Sequence, residues 1–109
     1  MASTYKCLAQ VTPSATTLTT LYTVPGATST TVSSLVVCNT NATASSFRVS
    51  VQIAAAADNT KQYIYYDLPI QANDTFIATM GLTLAATDVI KVYAGATLLA
   101  FSVFGVEIT

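Results

Sequence analysis

The most regular feature of this chain is an alternation of apolar and polar residues with a period of two. It is clearest over residues 47–53, where Phe, Val, Val and Ile are separated by Arg, Ser and Gln. The pattern is typical of a β-strand that buries one face and exposes the other, and no helical period competes with it. Alternation of this kind predicts eight strands, over residues 5–11, 17–24, 31–39, 47–53, 62–68, 75–80, 89–94 and 98–108.

Turn-forming residues separate the predicted strands and define the class of fold. They occur at positions 25–26, 39–46, 58–59, 73–74 and 95. Short strands at this spacing predict an all-β fold, an antiparallel β-sandwich of about eight strands that is jelly-roll-like or immunoglobulin-like. A chain of 109 residues suits a single sandwich domain over residues 1–109. Within it, residues 1–16 are expected to form an extended N-terminal arm or an edge strand.

Local patterns refine this prediction. The short gap over residues 93–98 predicts a tight hairpin between the last two strands, and residues 82–86 are compatible with a single helical turn. Residues 54–57 are expected to form a turn rather than a helix. The strands over 31–39 and 98–108 are apolar on both faces, which indicates burial inside the sandwich or contact with a neighbouring subunit.

Charged residues are scarce, and their scarcity argues against some classes of binding partner. The chain has four basic and five acidic residues, no histidine and a net charge of −1. Nucleic acid is bound by clustered Lys and Arg, so neither DNA nor RNA is an expected partner. No apolar run is long enough to suggest a membrane span, and the first residues lack a signal-peptide pattern. We therefore expect synthesis in a cytoplasm.

The low charge also bears on assembly. Charged residues make up 8% of this chain, against about a quarter of a typical soluble domain. Such a surface is poorly protected against association, so we expect a partner protein or copies of the chain itself to cover much of it. A homotrimer is the expected form.

No group of residues suggests catalysis. Without histidine, the usual general base for a serine or cysteine nucleophile is missing. Asp67 and Asp74 could approach each other as a glycosidase-like pair or a calcium site, but turn positions explain both more simply. Asp88 is likewise expected to cap a turn. We predict that the protein is not an enzyme and has no catalytic residue, no cofactor and no metal site.

The chain contains two cysteines, Cys7 and Cys38. In a cytoplasmic protein both are expected to be reduced and to pack as small apolar side chains, with Cys38 buried in its strand. Counting alone leaves a disulfide between them open as the alternative. Two cysteines without histidine do not complete a tetrahedral zinc site.

Three tyrosines are concentrated on one predicted strand. Alternation places Tyr63 and Tyr65 on one face and Tyr66 with Ile64 on the other. Strand propensity explains part of this pattern, but tyrosine is also enriched at protein interfaces, and it lines carbohydrate sites. A protein interface is the favoured functional interpretation because no tryptophan or acidic cluster accompanies the tyrosines. With polar loop residues added, the interface candidates are Asn39, Asn41, Asp58, Asn59, Tyr63, Tyr65 and Tyr66.

Several segments carry a family resemblance. The segments LYTVPG (21–26), VSSLVVCN (32–39) and FRVSV (47–51) resemble the opening of small β-sandwich structural proteins of tailed bacteriophages. The segments NDT (73–75) and LAATDVIKVY (84–93) are similar to the second half of the same group. Within that group the chain most resembles capsid decoration (cement) proteins of cyanobacterial phages. These motifs describe strand edges and turns, so they transfer no catalytic or ligand residues.

The resemblance implies a role in the virion. A decoration protein of this kind is made in the bacterial cytoplasm, binds the major capsid protein on the outer head surface as a homotrimer, and stabilises the head. The alternatives are a tail, baseplate or fibre component of the virion, and a carbohydrate-binding module that uses Tyr63, Tyr65 and Tyr66.

Overall fold

A computed structural model describes residues 2–109 and shows the all-β antiparallel sandwich that the alternation predicts. Short 3-10 turns lie at Ile53–Ala55 and Thr60–Gln62. Within the described residues, no helix is long and apolar enough to cross a membrane. The strands are β1 (Ser3–Val11), β2 (Thr19–Thr23), β3 (Ser29–Asn39), β4 (Ser45–Gln52), β5 (Tyr63–Ile70), β6 (Thr75–Leu84), β7 (Val89–Ala94) and β8 (Leu99–Ile108).

The strand order identifies the sandwich as a jelly roll rather than an immunoglobulin fold. The first sheet has the order β1-β8-β3-β6 and the second the order β2-β7-β4-β5. The β4–β5 connection joins neighbours in one sheet, whereas the other connections cross between sheets. Strands pair antiparallel as β1 with β8, β2 with β7, β3 with β6 and β4 with β5. Nested pairing of this kind is the jelly-roll arrangement of two Greek keys.

Position in the sheets explains the hydrophobic pattern of individual strands. β3 and β8 are the two central strands of the first sheet, and each has one face toward the core and one toward the outside of the sandwich. The N-terminal strand β1 is an edge strand that pairs with β8 from Ser3 to Val11.

Two local expectations are wrong. Residues 93–98 do not form a hairpin, because β7 and β8 belong to different sheets. The backbone N–H of Gly95 instead donates to Ser46 O at 2.8 Å, and Leu98 has a φ of 70°, so the chain turns toward the other sheet. Residues 82–84 continue β6 rather than opening a helical turn, because Leu84 pairs with Thr30 and is buried in the core.

The core lies between the sheets and is centred on aromatic rings. Phe47 is fully buried, and its ring centroid lies 6.2, 5.5 and 6.1 Å from those of Tyr65, Phe76 and Phe101. Edge-to-face and tilted contacts at these distances are favourable for aromatic pairs. Burial of apolar side chains from both sheets therefore holds the sandwich together and provides a rigid frame for its outer faces.

Candidate protein interface

Two β-bulges in β5 determine which tyrosines reach the surface. Val49 of β4 pairs with Tyr65 and Phe47 pairs with Leu68, so Tyr66 and Asp67 together lie opposite the single residue Arg48. This two-against-one arrangement defines a bulge. The backbone of Asp67 has a φ of 51°, a left-handed conformation that Asp tolerates better than most residues. Both Tyr66 and Asp67 consequently contact the Arg48 side chain.

Arg48 is held by an ion pair and by two aromatic rings. Its Nε donates to Asp67 Oδ1 at 2.7 Å and its Nη2 donates to Oδ2 at 3.3 Å. The guanidinium carbon lies 4.1 Å from the ring centroid of Tyr66 and 4.2 Å from that of Tyr93. Arginine stacks on aromatic rings and binds carboxylates through two parallel bonds. The hydrogen bonds to Asp67 raise the pKa of Arg48 above its usual value.

Tyr63 extends this group along the same face. Its ring meets that of Tyr66 edge-on, with the centroids 5.0 Å apart. The register shift between Val49 and Ser50 places Tyr63 opposite Ser50, because Ile64 is the extra residue of the second bulge. We call Arg48, Tyr63, Tyr66, Asp67 and Tyr93 the tyrosine–arginine surface.

The predicted facing of the tyrosines is therefore wrong. Tyr63 shares its face with Tyr66, whereas Tyr65 points into the sandwich, with its ring centroid 6.2 Å from that of Phe47 and 5.4 Å from that of Phe76. Simple alternation fails because each bulge adds one residue and reverses the facing of the residues beyond it in the strand. Of the three tyrosines, Tyr66 is the most open, with 56% of its area exposed.

The loop between β4 and β5 is anchored close to this surface. Asp88 accepts hydrogen bonds from the backbone N–H of Ala54 at 2.8 Å and of Ala85 at 2.9 Å, which confirms its predicted role as a cap. Asp58 accepts a hydrogen bond from the Gln52 side chain and lies 3.8 Å from Lys91 Nζ. The loop is therefore tied to both β4 and β7.

Asn59 and Asn41 also serve local structure. The side chain of Asn59 accepts a hydrogen bond from the backbone N–H of Lys61, and the Gln62 side chain accepts one from the backbone of Asn59. Together they form a capping box at the Thr60–Gln62 turn. Asn59 is exposed, and Asn41 is half-buried in the β3–β4 loop.

Asn39 does not present its side chain to a partner. It is fully buried, and its Nδ2 donates to Thr43 O at 2.9 Å and to Gln71 O at 3.1 Å. Its Oδ1 accepts from the backbone N–H of Asn41 at 3.0 Å. Asn39 therefore holds two neighbouring loops together, and its inclusion among the surface candidates is wrong.

Both cysteines are free thiols. Cys38 is half-buried, whereas Cys7 is exposed on the edge strand β1, which corrects the expectation that both pack as small apolar side chains. Cys7 pairs in register with Phe104 of β8, and Cys38 pairs with Ala100 of the same strand.

No acid–base constellation accompanies the tyrosine–arginine surface. Among residues 2–109, no three His, Cys, Asp or Glu side chains gather in a way that could hold a metal ion. A cavity of about 540 Å³ near the β4–β5 loop contains one charged group, Lys61, and the amide of Gln62 at its wall donates to Ala57 O. The surface therefore combines a paired guanidinium with aromatic rings.

Sequence reasoning missed Arg48, Asp67 and Tyr93 as members of this surface. A signal for two of them was present in the sequence, since Arg48 and Tyr93 alternate with apolar residues in their strands. That they pair directly in register is visible only in the structure. Asp67 carried no such signal, because its position depends on the bulge.

A comparison of the chain with models of protein families finds no match, and a search among curated proteins finds none either.

Proposed function

We propose that this protein is a structural component of a phage virion, and specifically a decoration protein that binds the outer surface of an assembled capsid and stabilises it. The observation that carries the proposal is the tyrosine–arginine surface, a preorganised patch on a rigid sandwich. The sequence resemblance to small virion proteins supplies the context.

The residue types of this surface support binding to a protein. Tyrosine and arginine are enriched among the residues that contribute most to protein–protein affinity. Arg48 is ordered before any partner arrives, because Asp67 and two rings hold it. A side chain that is already ordered loses little conformational entropy on binding. The guanidinium N–H groups that Asp67 does not use are available to carbonyl or carboxylate oxygens of a partner.

The proposed mechanism is binding without chemistry. The partner is the major capsid protein, contacted by a homotrimer whose linked copies engage neighbouring subunits of the shell. Linkage raises the effective concentration of each further contact, so that modest individual contacts produce tight overall binding. A protein that binds the assembled lattice and not its free subunits stabilises the lattice by mass action.

The geometry of the tyrosine–arginine surface disfavours the carbohydrate-binding alternative but not the tail alternative. A carbohydrate module needs open aromatic faces for sugar rings to stack on, but the Arg48 guanidinium already covers one face of Tyr66 and one of Tyr93. A tail, baseplate or fibre component would use the same surface against a different partner. Location in the virion separates this last alternative from the capsid role.

The test is the copy number of the protein in purified virions, measured by quantitative mass spectrometry, together with the phenotype of particles that lack it. A copy number comparable with that of the major capsid protein, and heads that lose DNA at lower temperature when the protein is missing, support the proposal. Absence from virions overturns it. A copy number comparable with that of tail components, with robust heads in its absence, replaces it with the tail function.

A further inference from the structure

The outer face of the first sheet carries several exposed apolar side chains. Residues that pair directly in an antiparallel sheet lie on the same face, so the register places Tyr5 with Val106, and Val36 with Ile77. Tyr5 is 83% exposed and Ile77 is 63% exposed. Phe104, on the central strand β8, is also exposed. Exposed apolar side chains on three of the four strands therefore share one face, which favours contact with another apolar surface.

This face also lacks charge. Among residues 2–109, the charged residues in strands of the first sheet are Lys6 and Glu107, apart from the turn residue Asp74 next to β6. Lys6 Nζ lies 2.9 Å from Glu107, and Glu107 accepts a hydrogen bond from Tyr22 of the opposite sheet. Both therefore lie on the inner side. The other charged residues belong to the second sheet and its loops or to turns.

The size of the face is that of a stable protein contact. Its four strands contain nine to eleven residues each. With strands about 4.8 Å apart and a rise of about 3.4 Å per residue, the face measures roughly 19 by 33 Å. That is roughly 600 Å² of flat area, and side-chain relief adds to it, against about 800 Å² per partner in a standard interface.

We propose that the outer face of the first sheet packs against a second copy of this chain. In a symmetric assembly of one chain, residues near the symmetry axis lie against their own copies, so any charge there would face a like charge. A face without charge avoids this repulsion. The face also has no charged side chain that could pair with a charged partner. The charged side chains that could recognise a different protein lie elsewhere on the molecule.

This inference goes beyond the proposed function, because it concerns the free protein and does not require a capsid. It can hold if the virion role fails, and it can fail while the tyrosine–arginine surface still binds capsids. The two faces lie on opposite sides of the sandwich, so self-association leaves the tyrosine–arginine surface open.

The first test measures mass by light scattering after size exclusion at micromolar concentration. The wild-type chain should show a multiple of the 11.4 kDa monomer mass. Tyr5→Lys and Ile77→Lys should each raise the dissociation constant at least tenfold, because a lysine would be buried in an apolar contact. The matched control is Ile53→Lys, since Ile53 is 72% exposed but lies in the β4–β5 loop. Far-UV circular dichroism checks that each variant is folded.

A second readout uses Cys7 in a Cys38→Ser background. Cys7 is exposed and pairs with Phe104 on this face, so its reaction with a thiol reagent should slow at least severalfold as protein concentration promotes association. A dimer or a trimer that Tyr5→Lys and Ile77→Lys dissociate supports the inference. A monomer at every concentration overturns it. Association that survives both substitutions, with Cys7 equally reactive throughout, also overturns it because another face would then make the contact.

Discussion

The Tyr22 hydroxyl, from the second sheet, donates a hydrogen bond of 2.5 Å to Oε2 of Glu107 in the first sheet. Thr30 Oγ1 lies 2.9 Å from the Tyr22 oxygen, and Lys6 pairs with the other carboxylate oxygen of Glu107. Hydrogen bonds from Tyr22 and then Lys6 lower the pKa of Glu107. Burial, and then the bond to Glu107, raise the pKa of Tyr22 to about 12. A polar link thus joins the two sheets.

This link predicts a loss of stability in acid. The pKa of Glu107 is lower in the folded than in the unfolded chain. Its contribution to the free energy of unfolding is therefore complete at pH values above the pKa of glutamate in the unfolded chain, about 4.3. That contribution disappears as the pH falls through the folded value. Urea denaturation over a series of acidic pH values should show this loss, and Glu107→Gln should remove the part due to Glu107. An unchanged acid dependence in Glu107→Gln would contradict the assignment.

Tyr22 predicts a second loss, in alkali. Because its pKa is raised in the folded chain, its contribution to the free energy of unfolding is complete at pH values below the pKa of tyrosine in the unfolded chain, about 10. That contribution is lost as the pH rises through the folded pKa of about 12. Tyr22→Phe keeps the ring and removes the hydroxyl, so at neutral pH it should lower the free energy of unfolding by about 1.5–3 kcal/mol, as for a hydrogen bond to a charged group. Urea denaturation at a series of alkaline pH values should also show that the stability of Tyr22→Phe falls less steeply with rising pH than that of the wild-type chain.

The aromatic core predicts a large difference between two phenylalanines. Phe47→Ala should lower the free energy of unfolding by about 3–5 kcal/mol, because Phe47 is fully buried among three rings and its removal leaves a cavity. Phe104→Ala is the matched control, since Phe104 points outward on β8, and should change stability by less than about 1 kcal/mol when the chain is monomeric. Thermal and urea unfolding measure the stability of both variants, and an equal loss of stability in Phe47→Ala and Phe104→Ala would contradict this prediction.

Two glycines predict opposite outcomes for the same substitution. A Cβ on Gly105 would lie 2.2 Å from the backbone oxygen of Thr31 on β3, so Gly105→Ala forces the strands apart and should destabilise by about 1–3 kcal/mol or more. A Cβ on Gly81 meets nothing within 4 Å. Gly81→Ala should therefore be neutral, or stabilising by about 0.4–1 kcal/mol through the unfolded chain. Urea denaturation of the two variants makes the comparison.

The proposed binding of the tyrosine–arginine surface to a capsid predicts which substitutions should weaken that binding. Tyr66→Ala should weaken it by about 1–3 kcal/mol if Tyr66 is an anchor. Arg48→Lys should also weaken it, because lysine cannot reproduce the planar two-point pair with Asp67. Tyr65→Phe is the control and should leave binding unchanged, since Tyr65 packs inward. Sedimentation of each variant with capsids lacking the protein gives the affinities, and wild-type binding by both Tyr66→Ala and Arg48→Lys would exclude this surface.

The sequence by itself determined the class of fold and the approximate position of each strand. Alternation of period two is a local property, so residues 47–53 could be assigned to a strand without knowledge of their neighbours in space. The turn role of Asp88 was also predictable, because it depends on residue type and position beside a strand. From the scarcity of charge we expect association surfaces, but the sequence does not say where on the molecule they would lie.

Tertiary structure alone decided strand order and facing. The predicted hairpin over residues 93–98 failed because a short connection can cross between sheets as readily as it can turn within one, and the choice depends on pairing with strands distant in sequence. The meeting of Arg48 with Asp67, 19 residues apart, requires the β5 bulge, which reverses facing without a change in the local pattern. The charge-free outer face likewise exists only because β1, β8, β3 and β6 come together in one sheet.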